Sequence, residues 1–172
     1  GTVLADDPEL TCRLDGLEDR NPIRVVLDTS LRTPLDSKLV QTARTTPVWI
    51  VASPEVIEDV GGPFTDAGVL LLAADETPQG DLDMMSVLKV LAGQGMTRVL
   101  VECGPRLAAT FVKVDLVDRL AWFRAPVTLG GDALTAFDSL GVAKVMNAKR
   151  FALVETLRLG EDVLETYCRT SY

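Results

Sequence analysis

The sequence predicts an α/β fold of three layers, α/β/α, with a mixed, mostly parallel sheet that ends in a C-terminal antiparallel hairpin. Three observations predict it. First, IRVVLD (23–28), PVWIVA (47–52), GVLLLAA (68–74) and TRVLVE (97–102) are nearly continuous in apolar residues. Strands buried on both faces read this way, whereas half-exposed strands alternate. Second, a helical stripe separates the last two runs, as in a strand–helix–strand crossover between parallel strands. Third, RFALVETLRLG (150–160) and EDVLETYCR (161–169) alternate and meet at Gly160-Glu161, a hairpin signal.

Each element has a local reason. SPEVIEDV (53–60) suits a helix capped by Ser53 with Pro54 in its first turn, and Gly61-Gly62-Pro63 should end it. In LDMMSVLKVLAGQG (82–95), Met84, Val87, Leu88 and Leu91 fall at i, i+3, i+4 and i+7. Asp81 or Asp83 can cap this helix, and Gly95 suits the position just past its end. A shorter helix should run from Pro105 to about Lys113, with the proline in the first turn, where its missing N–H costs nothing. LVDRLAWFRAP (116–126) reads as a long strand and VTLGGDALTAF (127–137) as a loop around Gly130-Gly131. Phe151, Leu153, Leu157 and Leu159 are expected on one face of the first hairpin strand. There is no internal repeat, low-complexity segment or linker. A chain of 172 residues therefore reads as one domain, 1–172.

Composition removes several function classes. The net charge is −8 with no basic tract, which argues against nucleic acid as a partner. No apolar run approaches the ~18 residues of a membrane span, so no membrane partner is expected. The three cysteines, Cys12, Cys103 and Cys168, have neither metal-ligand nor disulfide-framework spacing, and are read as reduced thiols of a cytoplasmic protein. There is no histidine. Ser-His-Asp triads, Cys-His pairs and His-ligated metals go with it, and no metal site is expected. Catalysis must then rest on carboxylates, Lys, Arg, backbone amides or a cofactor that brings its own chemistry.

Four stretches are candidate sites. In VLVECGPRLAATF (99–111), Glu102 is expected to end a strand, at the carboxyl edge where open α/β sheets collect ligands. Gly104 permits close approach, and the following helix N-terminus suits a phosphate. A helix cap with a tight turn explains the same residues. Cys103, beside a carboxylate, should have a raised pKa and be no nucleophile. In TVLADDPELTCR (2–13), Asp7 before Pro8 is pushed out of the α region. Asp6 can accept from a hydroxyl or amide and Arg13 can fork a phosphate; a solvated surface turn is the plainer reading. In DTSLRTP (28–34), Thr29, Ser30 and Arg32 lie at a strand end, and turn chemistry alone also accounts for them. APVTLGGDA (125–133) could wall a pocket, or be a structural loop. Trp49, Trp122, Phe123 and Phe151 are read as core or interface residues.

Taken in order, TVLADDPELTCR, PIRVVLDTSLRTP, VLVECGPRL, LVDRL and AP-x-x-LGG-x-A resemble the reductase domain of the bifunctional riboflavin-biosynthesis deaminase/reductase, over nearly the whole chain. The resemblance implies a dihydrofolate-reductase-like fold. It implies an NADPH-dependent reductase that converts the ribosyl group of 5-amino-6-(5-phosphoribosylamino)uracil to ribityl, by hydride delivery to C1′ of an open-chain imine. By motif, Thr2, Asp6 and Thr29 match cofactor contacts, as do Gly104, Pro105, Arg106, Leu107, Ala108, Ala109 and Thr110 of the phosphate loop. Leu10 and Arg13 match substrate contacts, with Arg13 for the substrate phosphate. Glu102 matches a substrate-facing carboxylate, with a catalytic role in binding the ribose or stabilising a cationic imine. The resemblance also implies a homodimer formed through the C-terminal strands. Cys103 stands where the family often has Gly or Ala. The family's reductase domain begins some tens of residues earlier and follows a zinc deaminase domain, so the chain reads as a fragment whose deaminase partner and first strand and helix lie elsewhere. A non-catalytic nucleotide-binding or dimerisation module of this fold, or a related pyrimidine or pterin reductase, are the alternatives.

Overall fold

The computed structural model describes residues 1–17 and 20–170. The chain forms two compact units, Gly1–Leu100 and Val101–Tyr172.

The first unit is built on a parallel sheet of β1 (Arg24–Leu27), β2 (Val48–Ala52) and β3 (Leu70–Ala73), in the order β1-β2-β3. Val26 lies opposite Ile50, and Ile50 opposite Leu71. β2 is the central strand, and it alone meets the sequence expectation of burial on both faces: Val48, Ile50, Val51 and Ala52 are all buried. Leu39, Val40, Phe64 and Val69 complete the core around it. Removing a side chain such as Leu39 or Ile50 entirely from water contributes about 1.5–3 kcal/mol.

The helices of this unit start where their caps dictate. Ser37 Oγ accepts from Val40 N–H ahead of α2 (Lys38–Gln41), which follows the short α1 (Thr2–Asp6) in the chain. Ser53 caps α3 (Pro54–Val60) as expected. Gly61-Gly62-Pro63 does end α3, but it also starts α4 (Gly62–Ala67), because a proline in the first turn favours initiation as readily as it forbids continuation. Asp83 rather than Asp81 caps α5 (Met84–Gly93), accepting from the N–H groups of Met85 and Ser86. Met84, Val87 and Leu91 are buried on its inner stripe. Gly95, with φ +86°, takes the left-handed turn beyond its end.

The expected strand at 97–102 does not form. Val99, Leu100 and Val101 are exposed, and no described strand pairs with them. β-Branched composition favours a pleat only where a neighbouring edge supplies the ladder, so the apolar run alone is not enough.

The second unit opens with α6 (Pro105–Lys113), which starts at its proline as expected. An antiparallel sheet follows, made of β4 (Arg119–Arg124), β5 (Phe151–Leu159) and β6 (Asp162–Arg169) in the order β4-β6-β5. The long strand expected at 116–126 shortens to the six residues of β4. Leu159 lies opposite Asp162 across the Gly160-Glu161 turn, with Gly160 at φ +66°. A bulge between Leu153 and Glu155 overturns one expectation about faces. Leu153 faces Tyr167 and Thr156 faces Glu165, whereas Leu157 faces Leu164. Phe151 and Leu153 therefore share one face of the sheet, and Leu157 and Leu159 the other, because one extra residue inverts the alternation downstream of it. On the first face Trp122 stacks on Phe137, with ring centroids 5.7 Å apart and planes 18° apart.

Candidate functional site

In the first unit, the N-terminal arm carries four of the expected contacts. Thr2 and Asp6 are the first and last residues of α1, and both are exposed. The segment expected as a plain turn is thus one helical turn followed by a reversal. Asp7 does leave the right-handed region, but for the left-handed φ +41°, ψ 58° rather than the extended region that a following proline favours. Leu10, at φ +52°, is a second left-handed residue, and its side chain packs on the core. Arg13 is exposed and makes no ion pair or hydrogen bond among the described residues, so its guanidinium remains available for an anion.

Thr29 is half-buried just beyond the carboxyl end of β1, and its carbonyl accepts from Ser53 N–H at 3.2 Å. The rest of that loop is held by its own turn chemistry. Asp28 is buried and accepts from both the N–H and the hydroxyl of Thr33 at 2.7 Å. Arg32, considered from sequence for a phosphate, reaches back to Asp28, with Nε 3.6 Å from Oδ1.

In the second unit, Glu102 is exposed and does not end a strand, which corrects the sequence expectation; the reason is the unpaired backbone of 97–102. Gly104 is the N-cap residue of α6, with extended φ −73°, ψ 172° and no side chain to cap the helix. Nothing lies within 4 Å of where its Cβ would be. The first turn, Pro105, Arg106 and Leu107, holds no acidic residue, and Ala108 N–H begins the ladder by donating to the Gly104 carbonyl at 3.2 Å. A helix start without a capping group keeps its positive end directed outward, which suits an anion. Ala109 is buried, and the Thr110 hydroxyl donates within the helix to the Arg106 carbonyl at 3.0 Å. Burial pushes the Cys103 thiol pKa up, and hydrogen bonding from the Ala108 backbone opposes the shift. The direction expected from sequence holds, but its cause is desolvation rather than the neighbouring carboxylate. In 125–133, Ala133 N–H donates to the Gly130 carbonyl, closing an exposed turn.

The family model for the RibD C-terminal domain matches residues 1–164. The chain belongs to that family. Among its relatives is the 2,5-diamino-6-ribosylamino-4(3H)-pyrimidinone 5′-phosphate reductase of Methanothermobacter thermautotrophicus, 32% identical over 96% of this chain and 75% of the relative. The solved structure of Acinetobacter baumannii RibD, form 2, superposes with a TM-score of 0.81 at 26% identity, over 98% of this chain and 45% of that one. The diaminohydroxyphosphoribosylaminopyrimidine deaminase/5-amino-6-(5-phosphoribosylamino)uracil reductase of Thermotoga maritima superposes with a TM-score of 0.75 at 26% identity, over 99% and 43%. The chain spans less than half the length of the curated RibD proteins it matches. The mixed α/β class expected from sequence is thereby that of the RibD reductase fold.

Two anchors of the N-terminal arm have no local signal in the sequence. Asp7 Oδ1 accepts from Lys38 N–H at 2.9 Å, and Arg24 Nη1 donates to the Glu9 carbonyl at 3.1 Å. Arg24 stands out as an arginine inside the otherwise apolar IRVVLD run, but nothing around it names its partner.

Proposed function

We propose that this chain is the reductase of riboflavin biosynthesis, reducing the ribosyl group of 5-amino-6-(5-phosphoribosylamino)uracil to ribityl at the expense of NADPH. The family match running from residue 1 to 164 carries this reading, and because it crosses both units it supports treating them as one reductase domain. NADPH, when bound, supplies the hydride. The start of α6 fits an anionic cofactor: Gly104 leaves open space, no side chain caps the helix, and no acid stands in its first turn. Gly104 to Thr110 would hold the cofactor's phosphates there, with Thr2, Asp6 and Thr29 as further cofactor contacts. Arg13 takes the substrate phosphate in a charge-assisted fork, and Leu10 flanks it. Glu102 is a solvated carboxylate suited to hydrogen-bonding the ribose hydroxyls or to stabilising positive charge at the imine. As a RibD-type enzyme, the chain works beside a zinc deaminase domain and as a homodimer. The cytoplasm is the compartment that three free cysteines favour.

The test is loss of reduced-nicotinamide absorbance when the purified chain meets NADPH and the ribosylaminouracil phosphate. Turnover is expected; absence of both turnover and calorimetric NADPH binding would sink the reading. Arg13→Ala should raise KM for the phosphorylated substrate by about 10- to 100-fold, the worth of one hydrogen bond to a charged group. The same substrate without its phosphate should not distinguish the variant from wild type.

A second reading of the substrate is favoured by the Methanothermobacter relative, whose name specifies the 2,5-diamino pyrimidinone that still carries the amino group. The ratio of kcat/KM for the two pyrimidines decides between them.

A further inference from the structure

The arm that carries Leu10 and Arg13 contains two left-handed non-glycine residues within four positions, Asp7 at φ +41° and Leu10 at φ +52°. Such a backbone persists only where its surroundings over-determine it. Two hydrogen bonds do so. At one end the Asp7 carboxylate accepts from Lys38 N–H, at the start of α2. At the other, Arg24 in the first position of β1 donates to the Glu9 carbonyl, one residue before Leu10.

Arg24 is 2% exposed. Its remaining acceptors are the Thr42 hydroxyl at 2.9 Å, the Thr42 carbonyl at 3.3 Å and the Thr46 carbonyl. Its Nε is buried and has no hydrogen-bond partner among the described residues. No carboxylate lies within 4.0 Å of the guanidinium among the described residues; burial lowers the Arg24 pKa, and the charge of Glu9 offsets that only in part. A buried cation of this kind is costly, and an apolar side chain would fill the position more cheaply. A planar guanidinium, unlike an apolar side chain, can bond three separate stretches of backbone at once, at 9, 42 and 46.

We propose that Arg24 is a positioning residue for the substrate arm: its fork fixes the Glu9 carbonyl against β1 and the α2–β2 turn, Asp7 fixes the other end against α2, and Leu10 and Arg13 are thereby held in place for the phosphorylated substrate. The proposal rests on the reading of Arg13 as the phosphate ligand. Arg24 touches neither substrate nor cofactor and acts through the arm.

The experiment compares Arg24→Lys, Asp7→Ala, Asp7→Asn and Thr42→Val in the full chain. Lysine keeps the charge but cannot bond all three stretches. Asparagine keeps an acceptor for Lys38 N–H, and alanine does not. Thr42→Val removes one Arg24 acceptor but leaves the Glu9 bond, and so reports on stability alone. Arg24→Lys and Asp7→Ala should raise KM for the phosphorylated pyrimidine about tenfold, the scale of a modest misplacement, with kcat and the NADPH KM within about threefold of wild type. Asp7→Asn should recover most of the loss, and Thr42→Val should lower the thermal midpoint at an unchanged KM.

Alkylation of the Cys12 thiol, followed by peptide mapping, needs no turnover. Cys12 lies inside the arm, with its N–H bonded to Asn21 Oδ1 at 2.8 Å. Its labelling should accelerate several-fold, relative to Cys168, in Arg24→Lys and Asp7→Ala. Variants that lose thermal stability with Cys12 labelling and KM both at the wild-type level would overturn the proposal, as would faster labelling with an unchanged KM. Should Arg24→Lys fail to fold, the Asp7 pair decides. Wild-type protein that labels as expected but turns nothing over would instead defeat the functional reading.

Discussion

Cys103 illustrates how one side chain's surroundings set its chemistry. It lies directly before the N-cap of α6, and burial, opposed by hydrogen bonding from the Ala108 backbone, holds its thiol above the ordinary range. The proton is therefore retained more tightly in the folded chain than in the unfolded one. By linkage, the folded state binds more protons between the unfolded and folded pKa values, so Cys103 makes stability fall as pH rises through the thiol range and has no effect well below it. Iodoacetamide alkylation of the native chain, mapped by peptide, should give Cys103 a rate that rises with pH at a higher midpoint than the same cysteine in the denatured chain. A midpoint below the denatured one would mean that the α6 N-terminus, not burial, governs the thiol. At this scale the sequence was informative about residue types and less so about partners. The hydroxyls and acid of 28–34 were recognisable as turn formers, and Asp28 and Thr33 do close on each other over five positions. Asp7 and Lys38 are separated by 31 positions, and Arg24 and Glu9 by 15, so no local pattern could pair them.

Elements with self-contained signals were legible. α3, α5 and α6 each begin at a residue whose side chain or ring specifies a start, and the hairpin turns where Gly160 permits a positive φ. Two features were not legible, for the same reason: each depends on a partner strand. The apolar run 97–102 has strand composition but no ladder, and the Leu153/Glu155 bulge is defined only by its register against β6. Amide exchange separates composition from pairing. The N–H groups of Ile50 and Val51 lie in the ladder of the central strand, whereas none in 97–102 donates to another backbone group among the described residues. In native-state hydrogen exchange, Ile50 and Val51 should exchange near the global unfolding limit and Val99 to Val101 close to the unprotected rate. Protection at 99–101 comparable to β2 would reveal a strand pairing that the present arrangement lacks.

At the scale of the whole chain, a net charge of −8 means that anionic ligands must be held by local groups rather than by a general field. Arg13 and the start of α6 are the local groups proposed above for that task, one in each unit. The same scale governs self-association. β4 and β5 are the two edges of the C-terminal sheet, and one of its faces presents Phe123, Leu157 and Leu159, respectively 65%, 42% and 46% exposed. The register places them together, since Leu164 of β6 lies opposite both Phe123 and Leu157. A homodimer using this face would be isologous, so a single substitution acts twice across the two-fold axis. Placing a carboxylate at an apolar interface position costs about 2 kcal/mol per site, hence about 4 kcal/mol per dimer, or roughly a thousandfold in Kd. Sedimentation velocity at micromolar concentration should therefore find wild type as a dimer and Phe123→Asp and Leu157→Glu as monomers, with unchanged far-ultraviolet circular dichroism. Thr156→Glu serves as the control on the opposite face, where Thr156 lies across from Glu165, and should remain dimeric. A monomeric wild type would remove the dimer, and dissociation by Thr156→Glu alone would move it to the face of Trp122 and Tyr167.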